Sequence, residues 1–186
     1  ELNHRRVCRK PTRDILHATV VVGDEVWHVF VNHWPSRREG PAISAPKRMK
    51  AARVLRDAVS ALPKGERILI MGDLNDTPMD ASIREGLGAV CLLSGELVDL
   101  MCLDVPEGHG SHNYKGEWAY LDQFIVDRVT VERVARAGAV RDERLMFRHP
   151  RYGLSPDKTY SGTSYKGGFS DHLPIVLELN GLSSRR

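Results

Sequence analysis

The 186-residue sequence predicts a mixed α/β domain, on three observations. Ile68-Leu69-Ile70-Met71 is an unbroken apolar run that stops at Gly72, as expected of a strand buried on both faces. Residues 13–33 alternate in polarity on either side of Gly23-Asp24, which reads as a hairpin. Between these, Ala52, Leu55, Val59 and Leu62 recur at steps of three and four, the stripe of an amphipathic helix.

Taken in order, residues 1–12 are basic and irregular and end near Pro11. The first strand covers 13–22 and the second 25–33, with Val29, Val31 and His33 on one face. A loop over 36–45 carries Arg37 and Arg38. Ser44 is the expected helix cap, with Pro46 in the first turn and the helix running to about Leu62. Lys50, Arg53 and Arg56 lie off the apolar stripe and read as a solvated face. After the 68–71 strand, residues 77–103 are expected to form one or two short helices punctuated by Gly86, Gly88 and Gly95. Residues 104–117 read as loop. In 118–126 a strand places Trp118, Tyr120, Asp122, Phe124 and Val126 on one face, so Asp122 sits among apolar groups and requires a partner. Residues 129–140 fit strand or helix. Residues 142–168 read as a long basic loop, the kind that binds substrate, and 173–179 as the last strand. The domain is assigned to 1–182, with 183–186 as a tail.

Composition narrows the function classes. A formal net charge of +3 permits an anionic substrate without demanding nucleic acid. No apolar run is long enough to span a membrane. Cys8, Cys91 and Cys102 are widely spaced, and the odd count leans towards reduced thiols without a disulfide framework. No export signal is visible, and compartment and oligomeric state are not legible.

The chemistry-bearing residues fall at strand ends or inside buried strands: His33, Asp73, Asn75, Asp122, Asp171 and His172. In extended backbone Asp73 and Asn75 point to the same side. Oxygen-rich donors with no thiolate suit Mg²⁺, Mn²⁺ or Ca²⁺ better than a structural zinc. Two imidazoles can donate to phosphate oxygens or carry a proton near neutral pH. Together such groups suit metal-assisted hydrolysis of a phosphate ester. Each residue also has a structural reading as a cap, a turn or a core hydrogen bond.

Four ordered stretches resemble the endonuclease/exonuclease/phosphatase superfamily, which includes pancreatic-type deoxyribonuclease. They are Asn32-His33-Trp34-Pro35-Ser36, Gly72-Asp73-Leu74-Asn75, Tyr120-Leu121-Asp122-Gln123-Phe124-Ile125-Val126 and Ser170-Asp171-His172-Leu173-Pro174-Ile175-Val176. Tyr114-Lys115-Gly116-Glu117-Trp118 and Tyr165-Lys166-Gly167-Gly168-Phe169 are similar to a bacterial branch of it. The resemblance implies a deoxyribonuclease-like four-layer α/β/β/α sandwich. It implies that His33 protonates the leaving oxygen or grips the phosphate, and that Asp73 and Asn75 hold the attacking water or a metal. Asp122 and His172 become a carboxylate–imidazole pair, and Asp171 a metal contact. Ser36, Arg37, Tyr120 and Lys166 are the expected substrate-binding residues.

The same resemblance implies an asparagine-bearing strand and a glutamate-bearing strand, the latter supplying the main metal ligand, well upstream of the histidine motif. Here 32 residues precede His33, with Glu1 and Asn3 as the candidates. The chain is therefore expected to lack the first third or more of the domain, to hold metal weakly, and to turn over little substrate alone. The function expected of the domain is divalent-metal-dependent phosphodiester hydrolysis, nuclease-like, on a phosphate-ester substrate with nucleic acid among the candidates. A phosphomonoesterase acting on sugar or inositol phosphates and a non-catalytic binding module stay open as alternatives.

Overall fold

The computed structural model describes residues 13–102, 106 and 108–181. Expectations placed on Glu1, Asn3, Cys8 and the tail lie outside them. The hairpin forms as read: β1 (Leu16–Val22) and β2 (Glu25–His33) pair antiparallel around Gly23, whose φ of 63° fits the turn. Helix α1 (Pro41–Ser60) follows, then β3 (Arg67–Asp73). Short strands β4 (Ala89–Val90), β5 (Leu97–Asp99), β6 (His112–Tyr114) and β7 (Glu117–Ala119) lead to β8 (Asp122–Asp127). One further helical turn, α2 (Arg128–Val131), is capped by the Asp127 carboxylate, which accepts from the backbone N–H of Val129 and Thr130. The remaining strands are β9 (Val134–Ala139), β10 (Met146–His149), β11 (Gly153–Pro156), β12 (Tyr160–Ser161), β13 (Ser164–Tyr165) and β14 (Ile175–Leu179).

Six strands make the central sheet in the order β1-β2-β3-β8-β5-β4. Its two faces are covered differently. Phe30, Ile70 and Ile125 point to one side, where Ala52 and Leu55 of α1 and Ile83 and Leu87 of a π-helical turn (Ser82–Leu87) close over them. Phe124 and Val126 point to the other side, against Ala137 and Ala139 of β9 and Ile175 and Leu177 of β14, which form a second, two-stranded sheet. The described residues thus stack as helix, sheet and sheet, the mixed α/β class the sequence predicts and three of the four layers that the resemblance implies. Each fully buried aliphatic side chain contributes about 1.5–3 kcal/mol to this stacking.

Five local expectations are corrected. The helix begins at Pro41, not after Ser44, because Gly40 takes φ 100° and turns the chain there. Ser44 is buried inside the first turn and donates its hydroxyl to the Gly40 carbonyl. The strand expected over 118–126 is broken at Tyr120-Leu121 into β7 and β8. Residues 77–103 hold the π-helical turn, but also β4 and β5. Residues 142–168 are a pair of hairpins, β10–β11 and β12–β13, rather than an open loop. Finally, Cys91 and Cys102 form a disulfide with Cα atoms 5.7 Å apart. The parallel β4–β5 pairing, invisible in Cys spacing, brings the two residues together.

Candidate active site

Three site residues form a row across three neighbouring strands. In register, His33 on β2 lies opposite Asp73 on β3, and Asp73 lies opposite Asp122 on β8. The row depends on a close approach one residue earlier. Gly72 has φ 120°, and a Cβ there would lie 2.1 Å from the Asn32 carbonyl oxygen. Glycine fits both demands. Beyond the row the chains stay tied, Trp34 N–H donating to the Asp73 carbonyl at 2.9 Å and Leu74 N–H to the Leu121 carbonyl at 2.9 Å.

The partner that Asp122 required is His172. Its Nδ1 lies 2.6 Å from Asp122 Oδ2, and Ser111 Oγ donates to the same oxygen at 2.6 Å. Burial alone would push the His172 imidazole down in pKa. The hydrogen bond to Asp122 and the nearby charges of Asp122, Asp73 and Asp171 outweigh it, and the net direction is up. The segment carrying His172 is pinned where the Leu173 N–H donates to the Ser111 carbonyl at 2.7 Å.

Asp73 is shifted upward, chiefly by burial, with the charge of Asp122 adding to it and the imidazoles of His172 and His33 opposing. Its oxygens are held by Asn75, whose backbone N–H donates at 2.8 Å and whose side-chain amide donates at 3.0 Å. Asn75 takes φ 53°, a left-handed conformation Asn tolerates better than most residues, and its amide also donates to the Trp34 carbonyl. His33 Nε2 stands 3.5 Å from Asp73 Oδ2 with half of its side chain open to solvent.

His112 was missed in the sequence. It lies in what reads as a Gly- and His-rich loop, and an isolated bridge to His172 brings it in, beside the Ser111 contacts to Asp122 and Leu173. Their rings tilt against each other with centroids 4.7 Å apart. Burial, helped by the charges of His172 and Lys158, lowers the His112 pKa to about 4, so the ring is neutral at neutral pH. Two sets of ligand atoms converge within 4.8 Å: Asp73, Asp122 and His172, and His112, Asp171 and His172. The first set is mostly carboxylate and half-buried, which fits a hard divalent cation. Asp171 is exposed.

The expected substrate-binding residues part company. Ser36 is exposed beside His33's loop. Arg37 is a strut: its guanidinium donates to the Asn75 carbonyl at 2.6 Å and to Asp76 and Asp80 at 2.8 and 2.7 Å. Tyr120 is buried between the sheets, where its hydroxyl accepts from the Ala139 N–H at 3.2 Å. Lys166 is exposed and lines a cavity beside the site. Behind Asp73, the loop is braced by Asp76, which meets Arg48 Nε at 2.7 Å in a pair buried on both sides. Gln123, fully buried, donates to the Asp76 and Tyr120 carbonyls at 2.9 Å each.

A two-sheet α/β domain with carboxylates and imidazoles gathered across its strand ends is the class these features define. Residues 2–181 match the Endonuclease/Exonuclease/phosphatase family, and the chain belongs to it. Solved structures agree on the fold. A mannosyl-6-phosphatase of Bacteroides thetaiotaomicron VPI-5482 is similar at TM-score 0.52 and 18% identity, with 84% of this chain matched to 52% of that one. Humanized D. rerio TDP2 gives TM-score 0.59 at 15% identity over 90% of this chain and 60% of that one. D. rerio TDP2 complexed with single strand DNA product gives 0.56 at 15% identity, over 90% and 61%. The chain therefore spans about half to three-fifths of these neighbours. Comparison with curated proteins gave no match.

Proposed function

We propose that the domain is a divalent-metal-dependent phosphoesterase that hydrolyses phosphodiesters. The observation that carries the reading is the row His33–Asp73–Asp122 closed by His172, which brings together a solvated imidazole, a half-buried carboxylate and a carboxylate-held imidazole. Family membership supports phosphate-ester chemistry at such a site.

Asp122 accepts the hydrogen bond from His172 Nδ1–H, which orients the ring and leaves Nε2 for a phosphate oxygen. Three carboxylates favour the charged form of that ring, so it can offset charge that develops on phosphorus oxygens. His33, open to solvent, donates its proton to the departing oxygen as the phosphorus–oxygen bond breaks. Asp73, oriented by Asn75, accepts a proton from the water whose oxygen forms the new bond. A divalent cation, held by Asp73 and Asp122 with Asp171 nearby, would supply positive charge to the phosphate and lower the pKa of a bound water. Which cation it is, Mg²⁺, Mn²⁺ or Ca²⁺, is the metal titration's to decide.

The test is hydrolysis of bis(p-nitrophenyl) phosphate and p-nitrophenyl phosphate with Mg²⁺ or Mn²⁺, with and without chelator, by a chain extended with the upstream segment that the family resemblance implies. The reading expects the diester to be preferred and turnover to stop with chelator. Turnover unchanged in excess chelator would overturn the metal dependence. A strong preference for the monoester would replace the diesterase by a monoesterase.

A further inference from the structure

Beside the row of site residues lies a cavity of about 560 Å³, walled by three hairpins. The β6–β7 hairpin gives it Asn113, Tyr114 and Lys115, the β10–β11 hairpin Phe147, His149 and Tyr152, and the segment around β12–β13 adds Lys158 and Lys166. The lining thus carries three lysines and one carboxylate, Asp157. The β10–β11 wall is a row of rings. His149 stacks on Tyr152 with centroids 4.7 Å apart, and Phe147 meets His149 edge-on at 6.4 Å. Phe147 is half-exposed, and His149 is fixed because its Nδ1 accepts from the Arg151 and Tyr152 N–H groups.

The cavity is built rather than incidental. Lys115 holds φ 54° at the hairpin tip, a left-handed conformation that costs a non-glycine residue on the order of 1 kcal/mol or more. The turn is locked by Gly116 N–H donating to Asn113 Oδ1 at 2.9 Å. On the opposite wall, Gly168 packs so tightly that a Cβ would lie 2.3 Å from the Asp157 carbonyl oxygen, and Ser170 N–H donates to the same oxygen at 3.1 Å. Cavity and site share these walls. His112, against His172, is directly followed in β6 by Asn113, Tyr114 and Lys115, and Asp171-His172 directly follow Ser170.

We infer that this cavity binds a nucleoside phosphate unit, its base against the Phe147–His149–Tyr152 row and its outer phosphate among Lys115, Lys158 and Lys166. The inference rests on the phosphodiesterase reading for what sits in the neighbouring site. Ammonium groups are compact charges suited to phosphate, and aromatic rings stack on any base. The volume suits a small ligand and admits one unstacked nucleotide, not a duplex. A sugar bisphosphate would use the lysines but leave the row of rings without a planar partner.

Binding is measured without turnover, by calorimetry of the His172→Ala chain with thymidine 3′,5′-bisphosphate, fructose 1,6-bisphosphate and inorganic phosphate. The nucleotide should bind at least tenfold tighter than the sugar bisphosphate, and weaken as salt rises. Lys158→Ala with Lys166→Ala should weaken it tenfold or more and flatten the salt dependence. Phe147→Ala should weaken the nucleotide and leave inorganic phosphate unchanged. Equal affinity for the two bisphosphates, or a Phe147→Ala change without effect, would overturn the nucleotide assignment. No binding of either bisphosphate at millimolar concentration would overturn the site. If the nucleotide binds as expected while bis(p-nitrophenyl) phosphate is not hydrolysed even by a chain extended with the upstream segment that the family resemblance implies, the phosphoesterase reading fails and the cavity assignment stands.

Discussion

One oxygen of Asp122 receives two short hydrogen bonds, from His172 Nδ1 at 2.6 Å and from Ser111 Oγ at 2.6 Å. The carboxylate is thereby fixed from two sides, and so is the imidazole. His172 has a folded-state pKa above its usual value, so the pair stabilises the fold most below the ordinary histidine range and loses that contribution as pH rises through the raised value. Asp122→Asn removes the charge that raises it. In an NMR titration the His172 ring should then titrate at lower pH than in the unmutated chain. An unchanged titration would show that Asp122 does not set it. Under the proposed function, His172→Ala should lower turnover by about a hundredfold or more, and Asp122→Asn by less.

Much of this site was legible because it lies on regular strands. Alternation in β2 places His33 at its end, and the apolar run of β3 places Asp73 just past the sheet interior. The apolar face around Asp122 required a partner, and the structure supplies it. The illegible part was set by contacts between distant segments. His112 joins the site through a bridge between residues 60 apart, with no local period to announce it. Arg37 and Tyr120 carry side chains that suit a phosphate or a sugar, yet the fold turns one into a strut and the other into a core group. The hairpins of 142–168 have strands of two to four residues, too short to show alternation. In 112–119 a signal did exist: Lys115-Gly116 is a two-residue turn with positive φ at both positions.

Asp73 offers a test of cation binding independent of turnover. Burial raises its pKa, so the folded protein carries a destabilising contribution that grows as pH rises and the buried group ionises. A divalent cation held there favours the carboxylate and expels the proton. Calorimetry of Mg²⁺ or Mn²⁺ in two mildly acidic buffers of different ionisation enthalpy should give heats that differ by the protons released. At alkaline pH, where Asp73 is already ionised, that difference should vanish. Asp73→Asn should abolish the acidic-range difference and weaken binding. Heats independent of buffer at every pH would remove Asp73 from the ligand set.

The buried pair Arg48–Asp76 supports the loop that presents Asp73 and Asn75. Arg48 is 2% exposed and Asp76 4% at the side chain, and Ser82 Oγ donates to Asp76 Oδ2 at 2.6 Å. A fully stranded buried charge costs about 3–5 kcal/mol. Arg48→Met takes away one of two cations from Asp76, with Arg37 remaining at 2.8 Å, and should therefore lower stability in urea by less than that. Arg48→Met combined with Asp76→Asn should lower it by clearly less than the sum of the single changes. Simple additivity would mean that the two side chains do not interact in solution.

Gly72 is the position on which the row of site residues depends most directly. The β2–β3 register places Asn32 against Gly72 and His33 against Asp73, so the strands must close at the glycine for the next pair to meet. A methyl group there would lie 2.1 Å from backbone oxygen, in a strand held on both sides, and φ 120° is strained for any L-residue. Backbone cannot move aside as a flexible side chain can. Gly72→Ala should thus destabilise the domain by more than about 3 kcal/mol, or prevent soluble expression. Gly65, at φ 91° with open space around its Cβ position, is the control. Gly65→Ala carries backbone strain alone and should cost about 1 kcal/mol. Thermal melts of the two variants separate close packing from conformational strain. Similar melting temperatures for both would mean that β2 and β3 do not approach as closely as the Asn32–Gly72 contact requires.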